Sequence, residues 1–336
     1  MTSPSAVSTA LFRHSRREVW GLGTVVQALD DRLRMQFQDG RTRTFKKGYY
    51  HLLDAVDRPL DVTLAIVTAL RNMADGGSTP KGAGGRMPPS LEEQIAYFAE
   101  LFEDGFLSES YAEQHRGDGR KRPLKRHRDA MVTAAAEGLG AKVLQRRLAA
   151  DEHTAVHAAA SSVLALTDLV SAKERKAFAE IDPSHHAAVA SSLHALLHGK
   201  SKIAVRIDGY VASLERALGE APSWELTTVL LGAVHPATHL VMRTSPLTLQ
   251  AAWMAPGLML SGRPMGLLYE RFHAMTMRVD EALREAGHEP RDLLDVCDFM
   301  WMTLKPAARE RIFERRGAYG VGAPKVAGAK DDQAAA

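Results

Sequence analysis

The chain has 336 residues, 45% of them hydrophobic and 25% charged, with a formal net charge of +3. This is an ordinary globular composition with enough apolar material for a core, and the length suits about two domains. Its single cysteine, Cys297, excludes an internal disulfide. No run of about 18 apolar residues offers a membrane span, and the small, polar start from Met1 to Ala10 lacks the basic-then-apolar pattern of a secretory leader. A cytoplasmic protein without a membrane partner is therefore expected.

The first elements read as strands. Leu33, Met35 and Phe37 alternate with Arg34, Gln36 and Gln38, a period of two with one buried face. Asp39-Gly40 gives a tight-turn signal, after which Arg41, Thr42, Arg43, Thr44 and Phe45 form a return arm with its arginines on one face. Gly21 and Gly23 suit a bulge or bend ahead of Thr24–Val26. Tyr49, Tyr50, Leu52, Leu53 and Val56 supply an apolar plug. Residues 15–58 are thus predicted to form a small β-barrel of about five strands, preceded by a flexible arm over 1–14.

Trp20-Gly21-Leu22-Gly23-Thr24-Val25-Val26, Phe37-x-Asp39-Gly40-x-x-Arg43-x-Phe45, the Tyr49/Tyr50 pair, and His14 ahead of Trp20 together carry a resemblance. This stretch of about 45 residues resembles the SH3/Tudor-like barrel of UvrD/PcrA-type helicases and, more distantly, the RNA-polymerase-binding barrel of CarD-type regulators. The resemblance implies docking on RNA polymerase or on nucleic acid. No phosphate-binding G-x-x-x-x-G-K-[ST] motif is present, so helicase activity is not implied.

Residues 59–89 are predicted to hold one helix, with Val62, Leu64, Ile66, Val67 and Leu70 at helical spacing, and then a Gly/Pro linker containing Lys81 and Arg86. Ser90-Leu91-Glu92-Glu93 reads as a capped helix start, with an apolar stripe of Leu91, Ile95, Phe98, Leu101 and Phe102. The stretch from His115 to Arg128 is read as an exposed basic loop. It carries Arg116, Arg120, Lys121, Arg122, Lys125, Arg126 and Arg128 against Asp118, a local net of +6. Residues 1–50 hold a further net of +5, leaving −8 for the remainder. Segregation of this kind steers polyanions more effectively than total charge does.

Residues 90–316 are predicted to be an α-helical domain, with about seven to nine helices over its main part. Breaks are expected near Gly138/Gly140, Asp182-Pro183, Gly199, Pro222, Pro236, Pro246, Pro256-Gly257, Gly262–Pro264, Gly287–Pro290 and Pro306. Phe299 and Trp301 are expected in its core. Residues 317–336 lack periodicity and are predicted to be a disordered tail.

Candidate chemistry is sparse. His153/His157, His194/His198 and His235/His239 are i, i+4 pairs that could share a metal ion, and Glu270/His273 and Glu285/His288 suggest a carboxylate–imidazole alternative. None has the His-Glu-x-x-His form, Gly287 interrupts the last pair, and Pro236 disfavours a regular helix through the third. Cys297 lies in an apolar run and is expected to be a buried small residue. Asp295 and Asp298 read as polar positions on a helix face. No catalytic residue, metal or cofactor is predicted.

The expected fold is α+β, a small SH3/Tudor-like barrel followed by a large all-α domain. The expected function is a non-enzymatic, nucleic-acid-linked adaptor or regulator. Arg41, Arg43, Lys46 and Lys47 on the barrel, with the basic cations of 116–128, would contact DNA or RNA without sequence preference, or RNA polymerase. The helical body would bind a partner protein. Two alternatives remain open: a protein-interaction scaffold without nucleic-acid contact, and a metal-dependent helical enzyme.

Overall fold

A computed structural model describes residues 9–17, 20–57, 60–75, 88–117, 128–255 and 258–315, except the side chains at 61, 62 and 65. The expected linker residues Lys81 and Arg86, the cations Arg120, Lys121, Arg122, Lys125 and Arg126, and the tail all lie outside the described residues.

The chain opens with a five-stranded antiparallel sheet: β1 (Leu11–His14), β2 (Leu22–Leu29), β3 (Arg32–Phe37), β4 (Thr42–Lys46) and β5 (Leu53–Val56). The order is β4-β3-β2-β1-β5, so the last strand returns to pair with the first. A 3-10 turn, Lys47–Leu52, makes that return. The first strand starts at Leu11, ahead of residue 15, because Leu11–His14 finds partners on both sides: Leu22 and Gly23 in β2, and Leu53–Val56 in β5. Gly21 takes a positive φ of 72°, which suits the expected bend, while the register shift in β2 falls between Val25 and Gln27.

Alternation assigns the two faces. Val25, Leu33, Met35, Phe37, Phe45 and Leu53 gather on one side with Phe12, Trp20 and Tyr50. Gly23 makes this possible, since a Cβ there would stand 2.7 Å from the Phe37 ring. Tyr49, expected in the plug, is instead 57% exposed. On the other face Leu11 and Leu22 meet α1 (Leu60–Ala74). Ile66, Val67 and Leu70 of α1 also enclose Trp253 of the helical body, so this helix is a wedge between the two parts.

The body continues as α2 (Leu91–Leu101), a short α3 (Glu109–Tyr111) continued by a wider turn to Arg116, α4 (Arg128–Leu139), α5 (Ala141–Ala149), α6 (His153–Ala165), α7 (Ala172–Ala179) and α8 (His186–His198). Then come α9 (Ile203–Leu218), α10 (Trp224–Val234), α11 (Thr244–Met254), α12 (Gly266–Glu285), α13 (Leu293–Leu304) and α14 (Pro306–Glu314). Ser90 caps α2 as expected, and Glu93 makes the cap reciprocal by accepting from the Ser90 N–H. Of the α2 stripe, Phe98 and Phe102 are buried and Leu101 is exposed.

More helices are described between 128 and 314 than the sequence pattern predicted. One extra break falls at Asp151, which takes a left-handed φ of 54° between α5 and α6 without being glycine. Conversely, Pro246 causes no break, because it lies in the first turn of α11, where its missing N–H is not needed. The most apolar helices, α10 and α13, are buried along most of their length and form the centre of the body. Among the described residues no helix is long and apolar enough to cross a membrane.

Candidate functional site

Two groups of charged side chains stand out, one on the sheet and one inside the body. On the sheet, the four cations expected to share a face do not. Arg43 follows the parity of Phe45 and lies on the aromatic side, its guanidinium 3.8 Å over the Trp20 ring and paired with Asp39 at 2.6 and 2.9 Å. Lys46 is three positions on, so it faces the opposite side. There it is directly across from Arg32, and Arg34 is across from Thr44. Arg34 and Lys46 are thus diagonal neighbours on one exposed face. Arg32 on the same face is bound by Asp31 through two hydrogen bonds of 2.8 and 3.2 Å. Arg34, Arg41, Lys46 and Lys47 are in or beside the sheet, with no carboxylate at ion-pair distance among the described residues. Lys46, Lys47 and Arg41 are exposed as expected. Arg34 was not among the expected contact residues, although its alternation with Leu33 and Met35 carried the signal.

The internal group gathers at the start of α13. Asp292, Asp295 and Asp298 recur every three residues along one face of a helix that is otherwise apolar. Asp295 is wholly buried and heavily bonded. The Tyr111 hydroxyl donates to its Oδ1 at 2.8 Å, Arg116 Nη2 donates to Oδ2 at 2.8 Å, and the Arg291 backbone N–H donates to Oδ2 at 2.6 Å. Arg128 Nη2 also donates to Oδ1. Arg128 reaches Asp298 as well, Nη1 to Oδ2 at 3.2 Å, and approaches Asp292 to 3.9 Å. Asp292 caps the helix by accepting from the backbone of Leu294 and Asp295.

Around the rim, Arg291 binds Asp129 and Asp292, His115 Nδ1 lies 3.7 Å from Asp298, and Arg243 lies 3.9 Å from Asp298. Trp301 packs half-buried against the edge of the core, with Arg243 and Lys305 over its ring at 4.9 and 5.4 Å. Phe299 is in the core as expected. Loss of water pushes the Tyr111 hydroxyl pKa up, and likewise raises the Asp298 carboxyl despite the attraction of Arg128 and Arg243.

This arrangement changes the reading of the basic stretch. Arg116 and Arg128, at its two ends, are turned inward and committed to the same buried carboxylate. A stretch this basic was expected to be wholly exposed. Its ends pack because four aspartates neutralise four arginines in one place.

Of the expected histidine pairs, His194/His198 and His235/His239 stay adjacent, with ring centroids 5.8 and 6.0 Å apart, whereas His153 and His157 part. His157 stacks on His186 at 4.1 Å, and His153 takes no part. His273 bonds the Thr238 carbonyl at 2.8 Å, and His288 packs edge-on against Phe98. Among the described residues no three of His, Cys, Asp or Glu gather as a metal-binding group. Cys297 is buried, its thiol pushed up to about 12 by loss of solvent. No protein-family model matches the chain, and comparison with curated proteins and with solved structures gives no match.

Proposed function

We propose that the protein is a nucleic-acid-linked adaptor or regulator whose sheet, together with the basic stretch between Arg116 and Arg128, contacts a polyanion, while the helical body engages a protein partner. The observation that carries this reading is the exposed pair Arg34 and Lys46 on one face of the sheet, with Arg41 and Lys47 nearby and none of the four in an ion pair among the described residues. Arg120, Lys121, Arg122, Lys125 and Arg126 add charge of the same sign at a second place in the sequence. The resemblance of the barrel to those of UvrD/PcrA-type helicases and CarD-type regulators supports docking on nucleic acid or RNA polymerase. Arg43, Arg116 and Arg128 are assigned a structural part, since each is held by an aspartate.

Phosphate contacts release counterions, so the logarithm of affinity for duplex DNA should fall against log salt by about 0.9 per phosphate neutralised. The test is a salt-dependent titration with duplex and single-stranded DNA and RNA. Replacing Arg34 and Lys46 with alanine should flatten the slope by about two units, and replacing Arg120, Lys121 and Arg122 by about two to three, with little dependence on base sequence. Absence of binding to every probe at low salt would remove direct nucleic-acid contact.

A second reading, a protein scaffold without nucleic-acid contact, draws on a different observation. Val205, Met265 and Leu267 are 60%, 44% and 65% exposed near the starts of α9 and α12, which pack together there. That reading expects the alanine substitutions to leave partner capture unchanged.

A further inference from the structure

Five imidazoles form a continuous row through the junction of α8, the end of α10 and α12. His194 to His198, His198 to His235, His235 to His239 and His239 to His273 have ring-centroid separations of 5.8, 5.5, 6.0 and 6.1 Å. Backbone carbonyls hold three of them: Leu139 holds His198, Leu197 holds His235, and Thr238 holds His273, each through Nε2 at 2.8 Å. His239 differs. The Leu240 N–H donates to the Tyr269 hydroxyl oxygen at 3.2 Å, and that hydroxyl lies 3.1 Å from His239 Nδ1. With its oxygen accepting from Leu240, the hydroxyl can donate its own proton to Nδ1 while His239 is neutral, and protonation of Nδ1 takes that acceptor away.

Among the described residues, cations, imidazoles and neutral groups surround His194, His235 and His239. α9 presents Arg206, α12 presents Tyr269 and His273, α8 presents His194 and His198, and α13 presents the Cys297 thiol. No carboxylate acts on His194, His235 or His239, and all three are shifted down, chiefly by loss of solvent, His239 to about 4.

The residues just C-terminal to His239 link the row to the charge cluster. Met242 N–H donates to Thr228 Oγ1 at 2.9 Å, the Cys297 thiol lies 3.6 Å from the Val241 carbonyl, and Arg243 faces Asp298 and Trp301. Residues 239–243 therefore join the imidazole row to the face of α13 that holds Arg116 and Arg128.

We infer that the histidine row is an acid-responsive joint: protonation of His239 turns Nδ1 into a donor, breaks the Leu240–Tyr269–His239 relay, and loosens residues 240–243 together with the aspartate face of α13. The test is hydrogen exchange on the full chain at pH 7.5 and 4.5, corrected for intrinsic rates. Opening that restores an ordinary imidazole should speed exchange at 240–242 on the order of tens-fold at pH 4.5, while α2 keeps its protection. Tyr269→Phe should accelerate the same amides already at pH 7.5. His239→Gln, which cannot take up a proton, should abolish the pH response. Equal corrected exchange at the two pH values, or an undiminished response in His239→Gln, would overturn the inference. Should His239→Gln fail to fold, imidazole proton NMR of the unmodified chain decides. The inference requires the exchange midpoint to track the titration of a histidine in the row, and it is lost if the two are unrelated.

Discussion

Asp295 shows how much one side chain can hold. A carboxylate with no exposed surface is tolerable only when its oxygens are fully engaged, and here two arginines, a tyrosine hydroxyl and a backbone N–H engage them. Asp295→Asn removes the carboxylate shared by buried Arg128 and half-buried Arg116 and leaves Arg128 only its longer contacts to Asp292 and Asp298, and breaking a buried pair in this way costs about 3–5 kcal/mol. Asp298 keeps 19% of its side chain exposed, its contacts are longer at 3.2–3.9 Å, and burial already disfavours its ionised form. Asp298→Asn is therefore expected to cost less than half as much. Denaturant midpoints at constant slope measure both, and an Asp298→Asn loss equal to that of Asp295→Asn would show that the charge is shared across the cluster instead of centred on Asp295.

Between elements, close approach and protonation state set the packing. Gly266 opens α12 against α9, where a Cβ would stand 2.1 Å from the Ala204 carbonyl oxygen, while Asp208 accepts the Gly266 N–H at 2.8 Å. Gly266→Ala must push the helices apart, and a loss of about 1–3 kcal/mol is expected from thermal or denaturant unfolding. An unchanged midpoint would mean that the helix ends give way freely. At the α6–α8 contact, His157 and His186 stack while bonding the Phe178 and Ile181 carbonyls. Burial lowers the His157 pKa below its ordinary 6.5. Below that value the unfolded chain takes up the proton more readily, so this contribution is complete above pH 6.5 and is lost as pH falls. His157→Phe is expected to flatten the stability–pH curve on the acid side, and an unaltered curve would assign the acid sensitivity to other groups.

Such contacts mark the limit of what was legible in the sequence. Ser90 with Glu93, the alternation Leu33–Met35–Phe37 and the Asp39-Gly40 turn could be read because each is a local pattern. The inward turn of Arg116 and Arg128 could not, because their partner Asp295 lies more than 160 residues away in sequence. The triplet Asp292, Asp295, Asp298 on an apolar helix was visible, but its meaning depended on those distant cations. The imidazole row was visible only as separate i, i+4 pairs, since the order of α8, α10 and α12 in space was not legible.

At the scale of the whole molecule, the question is what joins the sheet to the helical body. α1 buries Ile66, Val67 and Leu70 against Leu11 and Leu22 on one side and against Trp253 of α11 on the other. Met254 beside Trp253 packs on both this cluster and the main core. The connection is therefore an apolar joint as well as a covalent one. The Gly/Pro composition of residues 76–89 predicts early tryptic cleavage at Lys81 or Arg86. Cleavage there would divide the chain between α1 and α2 without touching the joint. The nicked protein is expected to elute as one species in size-exclusion chromatography, because the two pieces stay held through Trp253. Trp253→Ala removes the shared contact and, at about 3–5 kcal/mol for a buried tryptophan, weakens the association of the nicked pieces by about two to four orders of magnitude. The N-terminal piece should then separate at low micromolar concentration. If the nicked unmodified chain falls apart, α1 belongs to the sheet alone; if nicked Trp253→Ala stays whole, contacts other than the Trp253 cluster carry the joint.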